Sequence, residues 1–511
     1  MFGSEMFQQW AVGFNAILSF DILFYILLGT FLGIVVGAIP GLTSGMATAI
    51  LLPVAFFMAP LNALVFLGAI YVSCMYGALL TAILLNTPGA PEASATTLDG
   101  YPMTKQGKAS EALGYGIGAS ATGGLISYMV FLVAMYPVAK FALKFGPSEM
   151  FLVAMFGIIV VASLKGEAFH KGLLAAALGL LLGTIGIAAT GEWRATFGNI
   201  YLAEGVQIIP SLIGLFAVAE LLYLAERKFV MPSGKGEKQS FGRILGKMRG
   251  IFRYPGTIAR AAIVGITIGA IPAAGGTVAA LVSYSEAKRS SKHPEKFGTG
   301  CPEGIIAAET ANNASTGGAL MTTLAIGIPG STTTAIILGA LMMHGLCPGP
   351  RLLVEQGEIV YGLIMALIFS QGLMVLMAAF VGHRFTGLLR VPTHILVPVI
   401  LVFCMVGSFA IRISMFDVYL MFAFGILGWI MRKYDYPPIA VVMGIVLGPI
   451  ADEMLLLTHM RFGDAYYLAF FTRPISLALV ILTIIVVLRP YLGKYLSPLG
   501  KYLHHKRESK H

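Results

Sequence analysis

Residues 63–91 read ALVFLGAIYVSCMYGALLTAILLNTPGAP. The segment 63–85 has no charged side chain and is long enough to cross a bilayer, which takes about 20 apolar residues. The segment 86–89 (NTPG) then breaks the helical pattern, because Pro removes a backbone donor and Gly permits unusual backbone angles. Non-helical backbone at membrane depth is tolerated only where it is buried in protein or lines a cavity. The stretch therefore predicts a membrane helix that stops at a polar break.

Apolar segments of this kind occupy most of the chain. Of the 511 residues, 57% are hydrophobic and only 11% are charged, whereas soluble domains carry about 25% charged residues. Further apolar runs lie near 22–39, 44–60, 112–138, 148–164, 172–189, 205–225, 257–284, 317–343, 359–382, 394–411, 414–431, 437–458 and 470–488. The predicted fold is an all-α polytopic membrane protein with about 10–12 transmembrane helices and additional broken or re-entrant pieces.

The charges are concentrated in two places. Residues 226–256 include eight basic and two acidic side chains, and the tail 491–511 is also basic. An excess of Lys and Arg beside membrane spans marks cytoplasmic loops. The net charge of +10 is thus interpreted as a topology signal, and no nucleic-acid partner is expected. The predicted organisation is a first transmembrane repeat (1–225), a basic cytoplasmic linker (226–256), a second repeat (257–490) and a basic cytoplasmic tail (491–511).

Two polar motifs recur in the same order in both halves. The first half has GAIPGLTSG at 37–45 and NTPGAP at 86–91, and the second has GAIPAAGGT at 269–277 and GIPGSTTT at 327–334. The spacing from Pro40 to Pro272, called the first offset below, is similar to the spacing from Pro88 to Pro329, called the second offset. Such ordered recurrence indicates an internal duplication, and we expect the two halves to have inverted topology.

Breaks of this type have a known use in transporters. A half-helix that begins at a break presents free amides and a partial positive charge, which favour an anion. The half-helix that ends there presents carbonyls, which favour a small cation. Paired Gly/Pro-interrupted segments are the best sequence indication of a midplane site for an anionic substrate and its coupling ion. The alternative is that each break is only a kink or a turn.

A polar stretch lies between the second-half motifs. If residues 303–318 form a helix, Glu309, Asn312, Asn313 and Thr316 recur at spacings of three and four and lie near one another. Side-chain oxygens grouped in this way suit a hard cation such as Na⁺. The alternative is that these side chains join neighbouring helices by hydrogen bonds.

The common catalytic patterns are missing from the sequence. It contains no zinc-protease His-Glu-x-x-His, no phosphate-binding Gly-x-x-x-x-Gly-Lys-Ser/Thr and no Gly-x-Ser-x-Gly. The four Cys have no paired spacing and are expected to be free thiols. Residues 1–20 do not match a cleavable signal peptide. We therefore expect a protein that is not an enzyme and needs no cofactor. Because the phosphate-binding motif for ATP hydrolysis is missing, uphill transport would depend on an ion gradient or another subunit.

Several motifs together resemble one family. They are LNTPG (85–89), TLDGYPM (97–103) with QGK (106–108), ANNA (311–314), IGIPG (326–330) and HGLCPGP (344–350). The ordered set is similar to the TctA family, the large membrane subunit of tripartite tricarboxylate transporters, from about residue 20 to 490. The resemblance implies a multi-pass protein of the bacterial inner membrane that imports carboxylates such as citrate, driven by Na⁺. The implied partners are a small integral membrane subunit (TctB-like) and a periplasmic solute-binding protein (TctC-like).

The same similarity places the binding sites at the polar breaks. The predicted substrate-binding residues are Pro40, Gly41, Thr43, Ser44, Gly45, Pro88, Gly89, Gly275, Gly276, Thr277, Pro329, Gly330, Ser331, Thr332 and Thr333. The predicted Na⁺-binding residues are Asn86, Thr87, Asn312, Asn313 and Thr316. One departure from the family pattern is Ala273, which stands where the motif usually has Gly and puts close backbone approach in question.

Three alternative functions remain open from the sequence. A stand-alone Na⁺/carboxylate symporter without a binding protein would have related architecture. A passive channel would need rings of charge or a repeated filter, and a membrane enzyme would need convergent His or carboxylate groups, neither of which the spans contain. Since no arginine lies inside the four motifs, Arg194 and Arg412 are the remaining candidates for a charged substrate contact.

Overall fold

A computed structural model describes residues 2–39, 41–163, 169–188, 190–226, 240–384 and 393–488. The helices of the first part are α1 (Phe2–Ile17), α2 (Phe20–Gly37), α3 (Ser44–Phe56), α4 (Pro60–Leu85), α5 (Ser94–Lys105), α6 (Ala109–Ala142), α7 (Pro147–Ser163), α8 (Phe169–Gly183), α9 (Ile208–Leu212) and α10 (Ala219–Glu226). A π-helical segment, Ile213–Val218, joins α9 to α10, and the strands β1 (Gly186–Ile187) and β2 (Trp193–Arg194) form an antiparallel hairpin.

The helices of the second part complete the described fold. They are α11 (Phe241–Met248), α12 (Pro255–Ala270), α13 (Gly275–Ser290), α14 (Pro302–Ile326), α15 (Thr332–Met343), α16 (Pro350–Glu355), α17 (Gly357–Arg384), α18 (Thr393–Arg412), α19 (Met415–Lys433), α20 (Pro438–Phe462), α21 (Ala469–Thr472) and α22 (Pro474–Leu488).

The prediction of an all-α polytopic membrane protein is confirmed. Among the described residues, six helices are long and apolar enough to cross a membrane, and eight shorter apolar helices accompany them. Two predicted spans are broken: 257–284 divides into α12 and α13, and 317–343 contains the end of α14 and all of α15. Helices α1, α5 and α11 were not among the predicted spans.

Local sequence explains where the helices around the breaks begin and end. The Thr43 hydroxyl caps α3 by accepting a hydrogen bond from the Met46 amide at 3.2 Å. Ser331 and Thr334 exchange side-chain and backbone hydrogen bonds at the start of α15, which is the capping-box arrangement. At the other ends, α4 and α14 stop at residues with left-handed backbone, Asn86 (φ 55°) and Gly327 (φ 81°). The breaks are therefore specified by cap chemistry on both sides.

The described chain divides into two compact units. The first contains Met1–Leu143 and Ile209–Trp429, and its core is formed by α4 and α14. Helix α2 packs along α4, and α12 packs along α14, which also contacts α6. Both sets of repeated motifs belong to this unit.

Close helix contacts in the first unit repeat at the sequence offsets of the motifs. A Cβ built on Gly37 would lie 2.0 Å from the Cys74 carbonyl oxygen, and one built on Gly269 would lie 2.1 Å from that of Ser315. The two glycines are related by the first offset, and their two contact residues are related by the second. The same relation holds for the contacts of Gly33 and Gly265. For Gly77 and Gly318, and for Gly89 and Gly330, the glycines are related by the second offset, and the residues whose carbonyl oxygens they approach are related by the first. The α2–α4 and α12–α14 pairs thus share one packing arrangement, which small residues make possible.

Asp99 fixes the loop that precedes α14. Its buried carboxylate accepts hydrogen bonds from the amides of Gly298, Gly300 and Cys301 at 2.8–2.9 Å. It also accepts one from the Tyr284 hydroxyl at 2.9 Å. Asp99 belongs to the TLDGYPM motif, so this motif stabilises the loop that leads into α14.

The second unit contains Lys144–Ile208 and Ile430–His511. Helices α7, α8 and α20 pack together in it, and a Cβ on Gly179 of α8 would lie 2.2 Å from the Val441 carbonyl oxygen. Glu149 is buried and binds Arg473 at 2.8 Å and the Ser476 hydroxyl at 2.7 Å. In the hairpin, Arg194 forms two hydrogen bonds with Asp452.

The predicted halves and the compact units divide the chain differently, since each unit contains segments of both halves. The repeat boundaries at 225 and 257, and the inverted topology, therefore stay predictions. Within the predicted linker, α11 packs on α6, with Lys247 2.9 Å from Glu111. Residues 227–239 of that linker and the predicted tail 491–511 lie outside the described residues.

Candidate functional site

One part of the site is formed by the N-termini of α3 and α15, which are in contact although they lie far apart in sequence. The hydroxyl oxygens of Ser44 and Thr333 are 3.0 Å apart, and both residues are buried. The methyl group of Thr332 lies 3.0 Å from the position of a Cβ built on Gly45. Because the first amides of a helix have no intrahelical acceptor, two sets of donors are brought to one place.

The second parts are the N-terminus of α13 and the turn that leads into α5. Glu92 lies in a 3₁₀ turn, Pro91–Ala93, directly before α5. A Cβ built on Gly276 would lie 2.3 Å from Asn312 Oδ1, 3.3 Å from Glu92 Cγ and 3.3 Å from Ser315 Oγ. Gly276 therefore packs closely against polar side chains from two elements, α14 and the turn before α5.

Ser44 connects the two parts. Its hydroxyl lies 3.2 Å from Glu92 Oε1 in addition to its contact with Thr333. The repeat relates the two contacts, since the first offset takes Ser44 to Gly276 and the second offset takes Glu92 to Thr333. If each residue is replaced by its counterpart in the other half, the Ser44–Thr333 contact becomes the Gly276–Glu92 contact. Three of the four predicted motifs, together with Glu92 directly after the NTPGAP motif, contribute to one site around Ser44.

Polar atoms at this site lack partners. Asn312 is fully buried, and neither atom of its amide has a hydrogen-bond partner in the part of the chain that the structure describes. The same holds for Glu92 Oε2. Since buried polar groups are nearly always hydrogen-bonded, such atoms indicate a place for a ligand, an ion or water.

The other predicted residues of α14 form hydrogen bonds of their own. The Glu309 carboxylate accepts hydrogen bonds from Thr96 of α5 at 2.5 Å and from Ser120 of α6 at 2.7 Å. Thr316 lies 2.7 Å from the Tyr128 hydroxyl of α6, and the Asn313 amide is 3.4 Å from the Glu309 carbonyl. Thr316 therefore belongs to the α14–α6 contact, whereas the Asn313 amide bonds within α14 and its Oδ1 is buried without a partner among the described residues. Asn312 is the predicted ion ligand on α14 that lies beside Gly276.

The remaining predicted residues form the backbone of the breaks. The Gly41 amide donates to the Gly89 carbonyl at 3.0 Å, which joins the first two motifs. Gly330 fits against the Gly269 carbonyl in the equivalent place of the second half. Ser331 lies 3.3 Å from the Tyr71 hydroxyl. Pro88 and Pro329 precede these glycines, Gly275 and Thr277 lie in the first turn of α13, and Pro40 lies outside the described residues.

Asn86 and Thr87 are placed at the end of α4. Asn86 is exposed, and the Thr87 hydroxyl donates locally to the Leu85 carbonyl at 3.3 Å. Among the described residues, no hydrogen bond links either of them to Asn312. The assignment of Asn86 and Thr87 as ion ligands therefore stays a prediction.

Three further observations concern the sequence candidates. Arg194 and Arg412 are held in ion pairs with Asp452 and Asp417, so both are already bound by acidic partners. Ala273 has left-handed backbone (φ 55°), as does its counterpart Gly41 (φ 92°). The substitution in the second half thus preserves the turn at the cost of an unfavourable conformation for Ala.

Sequence reasoning missed Glu92, Tyr71 and Ser315. Glu92 lies three residues beyond the NTPG motif and could have been found by applying the second offset to Thr333. Tyr71 is the counterpart of Asn312 by the same offset. Both residues stand within apolar or small-residue segments and lie outside the four break motifs.

A model of the tripartite tricarboxylate transporter TctA family matches residues 23–443, which include every described element of this site. The chain belongs to the TctA family. The assignment makes it a multi-pass membrane protein of a transporter family, and it agrees with the resemblance inferred from the motifs.

Two relatives of this TctA-family chain come from Agrobacterium vitis. An uncharacterized 52.8 kDa protein in the TAR-I ttuC' 3' region is 33% identical over 480 residues, covering 93% of this chain and 94% of the relative. An uncharacterized protein in the TAR-II ttuC' 3' region is 32% identical over 225 residues, covering 44% of this chain and 92% of the relative. No solved structure matches the chain.

Proposed function

We propose that the chain is the large translocating subunit of a binding-protein-dependent secondary transporter that imports tricarboxylates or other carboxylates such as citrate, coupled to Na⁺. It works in the bacterial inner membrane with a small TctB-like subunit and a periplasmic TctC-like binding protein. Family membership supports the transporter class. The substrate, the ion and the partners are the finer parts of the proposal.

The observation that carries the proposal is the meeting of helix N-termini at Ser44 and Thr333. Helix N-termini favour anions through their free amides and partial positive charge. Hydroxyl groups on both helices add donors at the right place for a carboxylate. No arginine is required for this mode of binding, which explains how an anion site can exist in motifs that contain none.

A cation is accommodated by the other half of the site. Asn312, Ser315 and Glu92 approach one another around Gly276, and the side-chain oxygens that these residues carry suit a hard cation. Within the described residues, no cluster of three or more His, Cys, Asp or Glu side chains is present. The donor set is thus suited to Na⁺ rather than to a transition metal.

The test is uptake of radiolabelled citrate into proteoliposomes that contain this chain and its small subunit. The binding protein is added or omitted, with and without an inward Na⁺ gradient. Uptake that needs both supports the proposal. Na⁺-driven uptake without the binding protein would identify the stand-alone symporter, and uptake of other di- or tricarboxylates in place of citrate would reassign the substrate.

Site variants connect the activity to this geometry. We expect Ser44→Ala and Thr333→Val to lower uptake about tenfold or more, because each removes a hydroxyl from a buried polar site and such a loss costs about 1–3 kcal/mol. The matched control is Ser285→Ala on α13, whose hydroxyl is exposed and bonds only within its own helix. Equal uptake by the site variants and the control would refute the location.

A further inference from the structure

The charge of Glu92 conflicts with the anion site next to it. One hydroxyl, that of Ser44, lies 3.2 Å from a carboxylate oxygen of Glu92 and 3.0 Å from the hydroxyl oxygen of Thr333. An anionic substrate that binds at the N-termini of α3 and α15 would therefore lie close to a carboxylate. Like charges at such distances repel strongly when they are shielded from water.

Glu92 is not neutralised by a basic side chain. No ion pair to Glu92 is formed within the described ranges, and its Oε2 atom is buried without a hydrogen-bond partner. The equivalent position in the second half is Thr333, which is uncharged. The duplicated site thus has a carboxylate in the first half and a hydroxyl at the equivalent position of the second half.

Polar oxygen atoms that could bind a cation are grouped around Gly276, next to Glu92. A Cβ built on Gly276 would lie 2.3 Å from Asn312 Oδ1, 3.3 Å from Ser315 Oγ and 3.3 Å from Glu92 Cγ, so these three side chains meet at one glycine. Asn312 is fully buried, yet both atoms of its amide are without partners among the described residues. A cation bound there would use Asn312 Oδ1 and Glu92 Oε2, which have no hydrogen-bond partner among the described residues, and would neutralise Glu92. The Ser315 hydroxyl, which donates to the Asn312 carbonyl at 2.6 Å, could still offer its oxygen.

We propose that Glu92 is the coupling carboxylate: a Na⁺ ion held by Glu92, Asn312 and Ser315 permits a carboxylate substrate to bind at Ser44 and Thr333, and without that ion Glu92 repels the substrate. The inference rests on the proposed carboxylate site and adds the rule by which the ion controls it. Because linkage is reciprocal, substrate binding strengthens ion binding by the same factor. Each ligand then binds more tightly when the other is present, which couples their transport.

The test is citrate binding to the purified full-length chain in lipid nanodiscs, measured by calorimetry at constant pH. Choline replaces Na⁺ at constant ionic strength, so that general screening does not change. For the unmodified chain we expect Na⁺ to lower the citrate Kd about tenfold or more, within the roughly 5–150-fold range of such couplings. For Glu92→Gln we expect tight citrate binding in choline and a Kd that no longer depends on Na⁺.

The control removes a carboxylate elsewhere on the same scaffold. Glu303 accepts hydrogen bonds from Thr257 and Ser291 at the start of α14, so Glu303→Gln makes the same change in charge outside the four motifs. It should keep the Na⁺ dependence of the unmodified chain. Retention of that dependence in Glu92→Gln, or its absence from the unmodified chain, would overturn the inference.

A second measurement separates this inference from the choice of substrate. Thermal unfolding is followed with and without Na⁺ in the absence of citrate. Stabilisation by Na⁺ of the unmodified chain and Glu303→Gln, but not of Glu92→Gln, supports the ion site even if no variant binds citrate, in which case only the substrate proposal fails. Equal stabilisation of Glu92→Gln refutes the ion site.

Discussion

The close packing of α2 on α4, and of α12 on α14, can be tested by adding one methyl group. In Gly37→Ala and Gly269→Ala the new Cβ would lie 2.0 Å and 2.1 Å from a carbonyl oxygen of the neighbouring helix. An ordinary carbon–oxygen contact is about 3.3–3.6 Å, so each helix pair must separate by more than about 1 Å. Overpacking of this kind costs about 1–3 kcal/mol. We expect both variants to unfold at a lower temperature.

Gly372→Ala on α17 is the matched control. A Cβ at that position meets no atom within 4 Å, and Ala is favoured over Gly in a helix by about 1 kcal/mol. The control and the test variants are therefore expected to shift stability in opposite directions. Thermal unfolding in detergent, followed by helical circular dichroism, measures both. If Gly37→Ala or Gly269→Ala melts as high as Gly372→Ala, the packing inferred for that helix pair is wrong.

Three further predictions concern positions outside the ion site. Ala273→Gly should raise stability by up to about 1 kcal/mol, because it relieves a left-handed conformation that costs Ala about 1–2 kcal/mol and adds a smaller entropic cost; an unchanged or lower melting temperature would contradict this. Asp99→Asn should accelerate amide exchange at Gly298, Gly300 and Cys301, since hydrogen bonds to a charged group are worth about 1.5–3 kcal/mol; unchanged exchange at these amides would show that Asp99 does not hold the loop. A maleimide at neutral pH should modify exposed Cys347 first and Cys301 more slowly, because burial raises the pKa of the Cys301 thiol and lowers its thiolate fraction. Buried Cys74 and Cys404 should react only after unfolding, and reaction of either at the rate of Cys347 would disprove that order.

Helices and breaks could be predicted because each has a local cause. Long uncharged runs define the spans, and Pro, Gly and capping hydroxyls define the breaks, as at 327–331. Helix α5 was missed because it is short and contains polar and charged residues, including Asp99, so it lacks an apolar period. Helix α11 was missed because its basic side chains were interpreted only as a topology signal.

The composition of the site depended on facts that no local pattern contains. Four motifs were expected to form a site, but which N-termini meet is decided by the packing of α3 on α15 and of α13 on the turn before α5. Glu309 and Asn312 are three residues apart, and at about 100° per residue their side chains point about 60° apart. That angle directs Glu309 toward α5 and α6 and Asn312 toward α13, although sequence spacing alone had grouped them as neighbours.

The repeated glycine contacts also limit how this protein can evolve. A gene duplication supplies two copies of each packing contact, and neither copy can gain a side chain without pushing helices apart. Positions such as Glu92 and Thr333 are different, because they share a backbone setting yet already carry unlike side chains. In a saturation mutagenesis map of the chain, glycine positions that tolerate no side chain should recur in pairs separated by the first or the second offset, while the two members of an unlike pair should each require a different residue type. New substrate preferences would then arise at the second class of position while the first stays unchanged.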